Sequence, residues 1–441
     1  MPRRLGPARP ASVPDVHPSA PGPSLARRLR TRDAVAVGLG SMLGAGVFAA
    51  YGPAAAAAGP GLLLSLLLAG LVALCGATAS AQLAARYPTS GGTYVYARER
   101  LGHWPGFVAG WGFVVGKTSS LAAMALTVGA YAAPGRERPV ALLAVAVAVA
   151  LGYRGVTRTA AAARVLVVVV LLCLGVAVAA ALTGPRTAVA VPWAGVPGGG
   201  WYGTLQAAGL LFFAFAGFAR VATMGEEVRD PARTVPRAVL LSLGAATLVY
   251  AVVGLVLLAT LGVAGTAASS APLADAVAAG RWPWAGAVVR VGAVAASAGA
   301  LLALLAGVSR TTLAMAREGD LPRWLAGVHP VHRVPHRAEL VVGAVVLLVV
   351  AVGDVRGAIG FSSAGVLVYY LLANLSALGQ PAAERRFPRL LQVVGVLACT
   401  ALVLTLPPGS VAAGAAVLLV GVAYRLLRLR REARRAATGR A

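Results

Sequence analysis

Gly38-Leu-Gly-Ser-Met-Leu-Gly-Ala-Gly-Val-Phe48 sets four glycines inside the first long apolar run of the chain, Val35 to Ala58. Glycine at that density weakens a helix, and in lipid each backbone amide left without a partner is costly. A mid-membrane break is tolerated only where it faces protein or a water-filled cavity. The half-helix that restarts there presents bare N–H groups and a positive dipole end to an anion. One reading is therefore a small-molecule site at the membrane midplane. The other is close helix packing, which small residues also permit in membranes.

Composition sets the class around that stretch. Of the 441 residues, 59% are hydrophobic and 12% charged, with a mean hydropathy of +0.79. A soluble domain carries about 25% charged residues. Apolar runs approaching the roughly 20 residues needed to cross a bilayer place twelve spans, near 35–57, 62–85, 107–131, 139–153, 165–183, 204–224, 238–262, 286–314, 338–353, 358–378, 390–406 and 410–427. The fold class expected is an all-α integral membrane protein. Residues 1–33, rich in Pro, Arg and Ala, read as a disordered tail without a signal-peptide core. Residues 428–441 read as a basic tail.

The net charge of +25 invites a nucleic-acid reading, which the distribution of the charges rejects. Of 39 Lys and Arg, 30 fall in the two tails, the alternate loops and the end of span twelve next to the C-terminal tail (Arg425), 5 in the opposite loops, and Lys117, Arg220, Arg290 and Arg310 within spans. This asymmetry follows the positive-inside rule and puts both termini in the cytoplasm of a cell with the chain in its membrane. Arg290 lies near Trp282 and Trp284 and reads as a snorkelling interface residue.

Cys75, Cys173 and Cys399 fall in apolar spans at no metal-binding spacing and read as packing residues. The five histidines lie in the tail and loops. No nucleotide-binding loop occurs, so no ATP-driven step is expected of this chain alone. No metal and no cofactor is expected. An enzyme in the membrane would need mid-span Asp pairs, a His cluster or a nucleophile with its base, and the sequence offers none.

Further motifs follow in order. Tyr87-Pro-Thr-Ser-Gly-Gly-Thr-Tyr-Val-Tyr96 precedes Gly102-His-Trp-Pro-Gly-Phe-Val-Ala-Gly-Trp111. The sixth span carries Phe212-Phe-Ala-Phe-Ala-Gly-Phe218 and leads into Gly225-Glu-Glu-Val-Arg-Asp-Pro231 and Thr234-Val-Pro-Arg237. The eighth ends in Ser309-Arg-Thr-Thr-Leu-Ala-Met-Ala-Arg-Glu-Gly-Asp-Leu-Pro322. With the first glycine motif, these resemble the amino acid permeases of the APC (amino acid–polyamine–organocation) superfamily.

The resemblance implies a LeuT-type core of two inverted five-helix repeats, residues 34–183 and 204–378, with spans one and six broken, and two peripheral helices over 390–427. It implies a secondary active transporter working by alternating access. Glycines at Gly44 and Gly46 in one half and Gly217 in the other are interruptions at matching places, the sequence pointer to a transporter site. Ser41, Met42, Gly44, Ala45, Gly46, Phe213, Ala214, Phe215 and Gly217 match the substrate-binding positions. The amides around Gly44–Gly46 suit a carboxylate, and carbonyls near Ser41–Met42 and Phe213–Phe215 suit an ammonium. Phe213 matches an aromatic lid, or is one more core Phe.

Coupling and gating candidates are Lys117, Thr118 and Arg220. A mid-span Lys is a functional candidate by default, and burial favours its neutral form, so proton exchange is expected of Lys117. In some relatives a lysine on span five replaces a sodium ion; Val170 lies near that place here. The alternative for Lys117 is a structural bond to carbonyls of the broken helices. Arg220 is a gate residue, or an arginine reaching the surface or pairing with Glu226 or Glu227. All fourteen carboxylates lie in tails, loops or span ends. An unpaired cation in low dielectric is costly, so neutral or acidic substrates are favoured over cationic ones. The expected partners are a small-molecule substrate (amino acid or amine), a proton and the lipid bilayer. An exchanger for amino acids or polyamines and, more remotely, a channel or receptor are the alternatives.

Overall fold

The computed structural model describes residues 29–87, 91–155, 160–187, 200–224 and 227–437. The expected N-terminal tail up to 28, and residues 88–90 of the Tyr87–Tyr96 motif, lie outside them, as does Glu226. Each of the twelve expected spans contains helix, and no strand longer than an isolated bridge occurs among the described residues. Among the described residues, nine helices are long and apolar enough to cross a membrane. Spans four (Glu137–Tyr153), nine (His336–Val352) and eleven (Arg389–Thr405) are shorter, at 17 residues each.

Two boundaries differ from the sequence reading. The helix of span one starts at Thr31, not beyond 33, because Asp33 accepts from the Arg30 amide at 3.0 Å and caps the first turn. Span twelve continues as helix from Pro408 to Ala437 through residues expected as tail. Arginine is a good helix former, and Arg428 pairs with Glu432 one turn on.

The packing has an internal symmetry. Span two packs on span six as span seven packs on span one. Span ten packs on span three as span five packs on span eight, while the pairs two–seven, three–eight and four–nine pack on each other. Exchanging each span with the one five later therefore maps neighbours onto neighbours. A short helix, Thr93–Leu101, links spans two and three at the arginine-rich end. Gly262–Ala268 and Pro272–Ala278 link spans seven and eight at the opposite end, as inverted repeats require.

Span three forms the centre, with 89% of its apolar window buried, against 22% for span twelve. Polar side chains fasten it: Ser119 donates to the Ala358 carbonyl at 2.9 Å, and Ser120 and Ser362 share a bond of 2.5 Å. Hydroxyl bonds of this kind and close-packed small residues replace the hydrophobic drive that lipid does not supply. At the arginine-rich end, the buried Asp320 carboxylate accepts from Tyr94 (2.8 Å), Arg98 (3.5 Å) and Arg425 of span twelve (2.5 Å). Burial and the Asp320 charge both hold the Tyr94 hydroxyl well above its ordinary range.

Candidate functional site

The two glycine-marked spans behave differently at their centres. In span one the first half, Thr31–Met42, closes with the Leu43 amide on the Leu39 carbonyl at 2.8 Å. Gly44 then leaves the helical backbone (φ −86°, ψ −142°), and helix resumes as Ala45–Ala49 and Tyr51–Ala58 with Ala50 helical between them. No side chain caps the start at Ala45. Its first amides therefore lack the partners that an interior turn would give them.

Span six was expected to unwind over Phe215–Phe218, and it does not. The helix Gly200–Phe215 tightens into a 3₁₀ turn, Ala216–Phe218, and continues as Ala219–Ala222. One glycine in the motif, against four in span one, leaves enough helical preference to keep a tighter turn.

The break of span one and the tightened turn of span six touch each other directly. A Cβ built on Gly217 would lie 2.3 Å from the Ser41 carbonyl oxygen, and one on Gly46 would lie 2.5 Å from Ala214 Cα. Glycine is required at both positions by backbone approach. A Cβ on Gly44 would meet the Ala300 side chain of span eight at 2.8 Å. A cleft of about 590 Å³ opens on the face away from the arginine-rich end, reaching Ala49 and Pro53 of span one and Leu126 and Ala130 of span three. Its mouth carries Glu137, Arg138, Asp354 and Arg356.

Most of the other candidates gather here. Met42 (1% exposed) and Ala214 turn their carbonyls to one hydroxyl, that of Tyr250 on span seven, at 2.6 and 2.9 Å. Phe215 packs edge-on against the same ring at 4.9 Å. Ala45 is fully buried, and Phe213 is buried beside Ala214. Lys117 reaches the tightened turn: its Nζ donates to the Ala216 carbonyl at 3.2 Å. Tyr370 of span ten donates to that carbonyl as well, at 3.3 Å. Ser41 and Thr118 spend their hydroxyls within their own helices, on Val37 (2.8 Å) and Val114 (2.7 Å).

Arg220 stands apart from the breaks. It bonds to Thr223 at 3.3 Å and pairs with Glu227 at 3.6 Å, with its side chain 36% exposed. Arg290, read as snorkelling, reaches the Tyr131 carbonyl at the end of span three (3.2 Å). Tyr131 in turn donates to the Phe48 carbonyl at 3.0 Å.

The tyrosines are what the sequence reading missed. Tyr250, Tyr370 and Tyr131 each donate to a span-one or span-six carbonyl within one of the two glycine motifs. A signal existed, since a buried Tyr needs a partner for its O–H and each sits inside an otherwise apolar run. Which carbonyl it meets depends on packing between distant spans.

Comparison with known proteins agrees with this architecture. Residues 29–424 match the amino acid permease family. An uncharacterized transporter of Mycobacterium tuberculosis is 55% identical over 417 residues, covering 95% of this chain and 93% of the relative. The branched-chain amino acid permease BcaP of Bacillus subtilis is 26% identical over 397 residues, covering 85% of each. Cationic amino acid transporter 3, mitochondrial, of Arabidopsis thaliana is 29% identical over 382 residues, covering 80% of this chain and 62% of the relative. With its helical multi-pass fold and this match over most of its length, the chain belongs to the amino acid permease family, a family of transporters.

Proposed function

We propose that this permease is a secondary active transporter of neutral or acidic amino acids across the cell membrane, with both termini cytoplasmic, and that Lys117 couples it to protons. The observation that carries the reading is the broken span one. Its second half starts uncapped at Ala45, beside the carbonyls of Met42 and Ala214. A zwitterion fits that pairing: the carboxylate on the Ala45 and Gly46 amides, the ammonium toward the carbonyls. Alternating access then separates and rejoins the contacts at Gly46–Ala214 and Ser41–Gly217.

The substrate preference is supported by charge. Among the described residues the buried carboxylates are Asp320 and Glu339, both at the arginine-rich end and away from the breaks. A distal cation in the site would meet no acid, while Lys117 adds a positive group. The relatives do not separate the classes, since a branched-chain permease and a cationic amino acid transporter both match, so the preference rests on the charges alone.

For coupling, Lys117 is buried, bonded through Nζ to one carbonyl, and faces Tyr370 across it. Losing or gaining a proton there changes the hold on the span-six turn, a direct link between charge and the shape of the site. Uptake of labelled amino acids into proteoliposomes, with pH and sodium gradients imposed separately, tests this. Expected is accumulation of a neutral amino acid driven by an inward proton gradient and indifferent to replacing sodium with choline. Lys117→Ala should abolish the proton-driven component, and Lys117→Arg should not restore it, since arginine keeps its proton. A strict sodium requirement, or full proton-driven uptake by Lys117→Ala, overturns the coupling role.

A further inference from the structure

Spans two, ten and eleven enclose a line of polar side chains of which the transport site uses only the first, Tyr370. It runs down one face of span ten from Tyr370 through Asn374 toward Gln380. Across from it, span eleven presents Cys399, Gly395 and Gln392 at the same helical interval. The register is visible at Gly395, where a built Cβ would lie 2.4 Å from Asn374 Oδ1. Span two closes the third side with Gly76 against the Tyr370 ring and Gln82 bonded to the Ala377 carbonyl at 3.4 Å.

These side chains are buried without being satisfied. Gln392 is fully buried, Gln380 is 1% exposed, and neither the oxygen nor the nitrogen of either amide has a hydrogen-bond partner. Asn374 is fully buried too; its nitrogen donates to the Tyr370 carbonyl at 2.8 Å, and its oxygen has no partner. Five unpartnered polar atoms in one buried seam, those of Gln380 and Gln392 at the arginine-rich ends of spans ten and eleven and that of Asn374 one turn deeper, are costly, because each unmade bond forfeits its desolvation energy. Polar groups in such a place are the ordinary partners of buried water, which makes about three hydrogen bonds per molecule.

Both ends of the seam are defined. The inner end is Tyr370, whose hydroxyl shares the Ala216 carbonyl with Lys117. The outer end is a cleft of about 360 Å³ at the arginine-rich face, lined by Gln82, Arg86, Glu384, Arg385 and Arg386. At that mouth Arg86 pairs with Glu384 at 2.9 Å, and the Arg386 amide donates to Gln82 Oε1 at 3.4 Å.

We infer that spans two, ten and eleven hold a hydrated polar seam that carries protons between the Lys117 end of the site and the cytoplasm. The amides of Asn374, Gln392 and Gln380 orient water and release no proton themselves. The proton leaves Lys117 Nζ, which becomes a neutral amine, and passes along hydrogen-bonded water to the cleft. Tyr370 is the titratable group facing Lys117 from span ten. Cys399 and Cys75 flank the seam from spans eleven and two, and Arg86, Glu384, Arg385 and Arg386 stand at the mouth. The inference rests on proton coupling through Lys117, and its test separates the two.

Gln392→Leu in full-length protein removes the two unpartnered atoms. Gln392 bonds to no protein group, so an apolar side chain there leaves no protein donor or acceptor newly unpaired, and the variant should fold with a Tm near that of the parent. Gln392→Met, which keeps length and flexibility, is measured beside it so that a packing defect at leucine does not decide the result. Expected in both is loss of pH-gradient-driven accumulation with counterflow exchange of the same amino acid retained. Radiolytic hydroxyl footprinting, which labels side chains beside bound water, should mark Tyr370 and Cys399 in the parent and mark them less in the variants. Accumulation lost in Lys117→Ala but kept in both Gln392 variants overturns the seam alone. An unlabelled Tyr370 and Cys399 in the parent does so too. Absence of any proton drive in the parent overturns the coupling reading and the seam's proton role with it.

Discussion

Spans one and six occupy equivalent places in the two repeats, yet they open their backbones by different means. Span one breaks outright at Leu43–Gly44 and restarts with uncapped amides. Span six keeps a 3₁₀ turn over Ala216–Phe218 and lends its carbonyls to Lys117, Tyr370 and Tyr250. The first therefore offers donors and the second acceptors held by side chains of other spans. An amino acid, with one group of each charge, needs both. The comparison also separates two uses of glycine. Gly44 forms the break, whereas Gly46 and Gly217 let the two backbones touch.

The largest expected effect tests that last distinction. Gly217→Ala drives a Cβ into the Ser41 carbonyl, and Gly46→Ala drives one into the Ala214 backbone. Neither neighbour is a side chain that turns aside. Each variant should lose about 1–3 kcal/mol or more, the usual cost of overpacking, read as a fall in Tm alongside lost uptake. Wild-type Tm in either variant would show that the breaks do not touch in the working protein.

Gly44→Ala should hurt less and be repairable. Its new methyl meets the Ala300 side chain, so Gly44→Ala with Ala300→Gly should recover most of the lost Tm, while no side-chain deletion rescues Gly217→Ala. Equal behaviour of the two positions would erase the contrast between breaking and packing.

Tyr250→Phe comes next. It strips the hydroxyl shared by the Met42 and Ala214 carbonyls. Leaving buried acceptors unpaired costs about 1–3 kcal/mol, and substrate affinity measured by equilibrium binding should fall with Tm. Unchanged affinity would separate the hydroxyl from the site. The smallest effect belongs to Thr118→Val, whose lost hydroxyl bonds only within span three. Its Tm and uptake should stay near the parent, within the ~0.5 kcal/mol typical of substitutions that touch no special feature. A large loss of uptake there would return Thr118 to the coupling machinery.

Much of the architecture was legible before any coordinates. Length, hydropathy and arginine distribution place all twelve spans, because lipid imposes long apolar runs and a charge asymmetry that survive in any single sequence. The break in span one was equally legible, since four glycines in eleven residues have few other uses in a membrane helix. Span six was less so. Unwinding there is what the family resemblance implies, with Gly217 as its support, but Phe212–Phe218 carries one glycine and keeps its turn. The tyrosine bonds were invisible because Tyr250 and Met42, 208 residues apart, meet only through packing. The partner of Lys117 was legible by kind, since a bond to carbonyls of the glycine-marked spans is one of its two readings, but which carbonyl it meets, that of Ala216, depends on packing.

The central claim is that the restarted half of span one receives the substrate carboxylate. A cryo-EM structure of the full chain in nanodiscs with a bound neutral amino acid tests it directly. The account predicts the carboxylate within hydrogen-bond distance of the Ala45 and Gly46 amides, with the ammonium toward the Met42 and Ala214 carbonyls. A carboxylate seated on Arg220, or in the outer cleft beside Arg138 and Arg356, would contradict it.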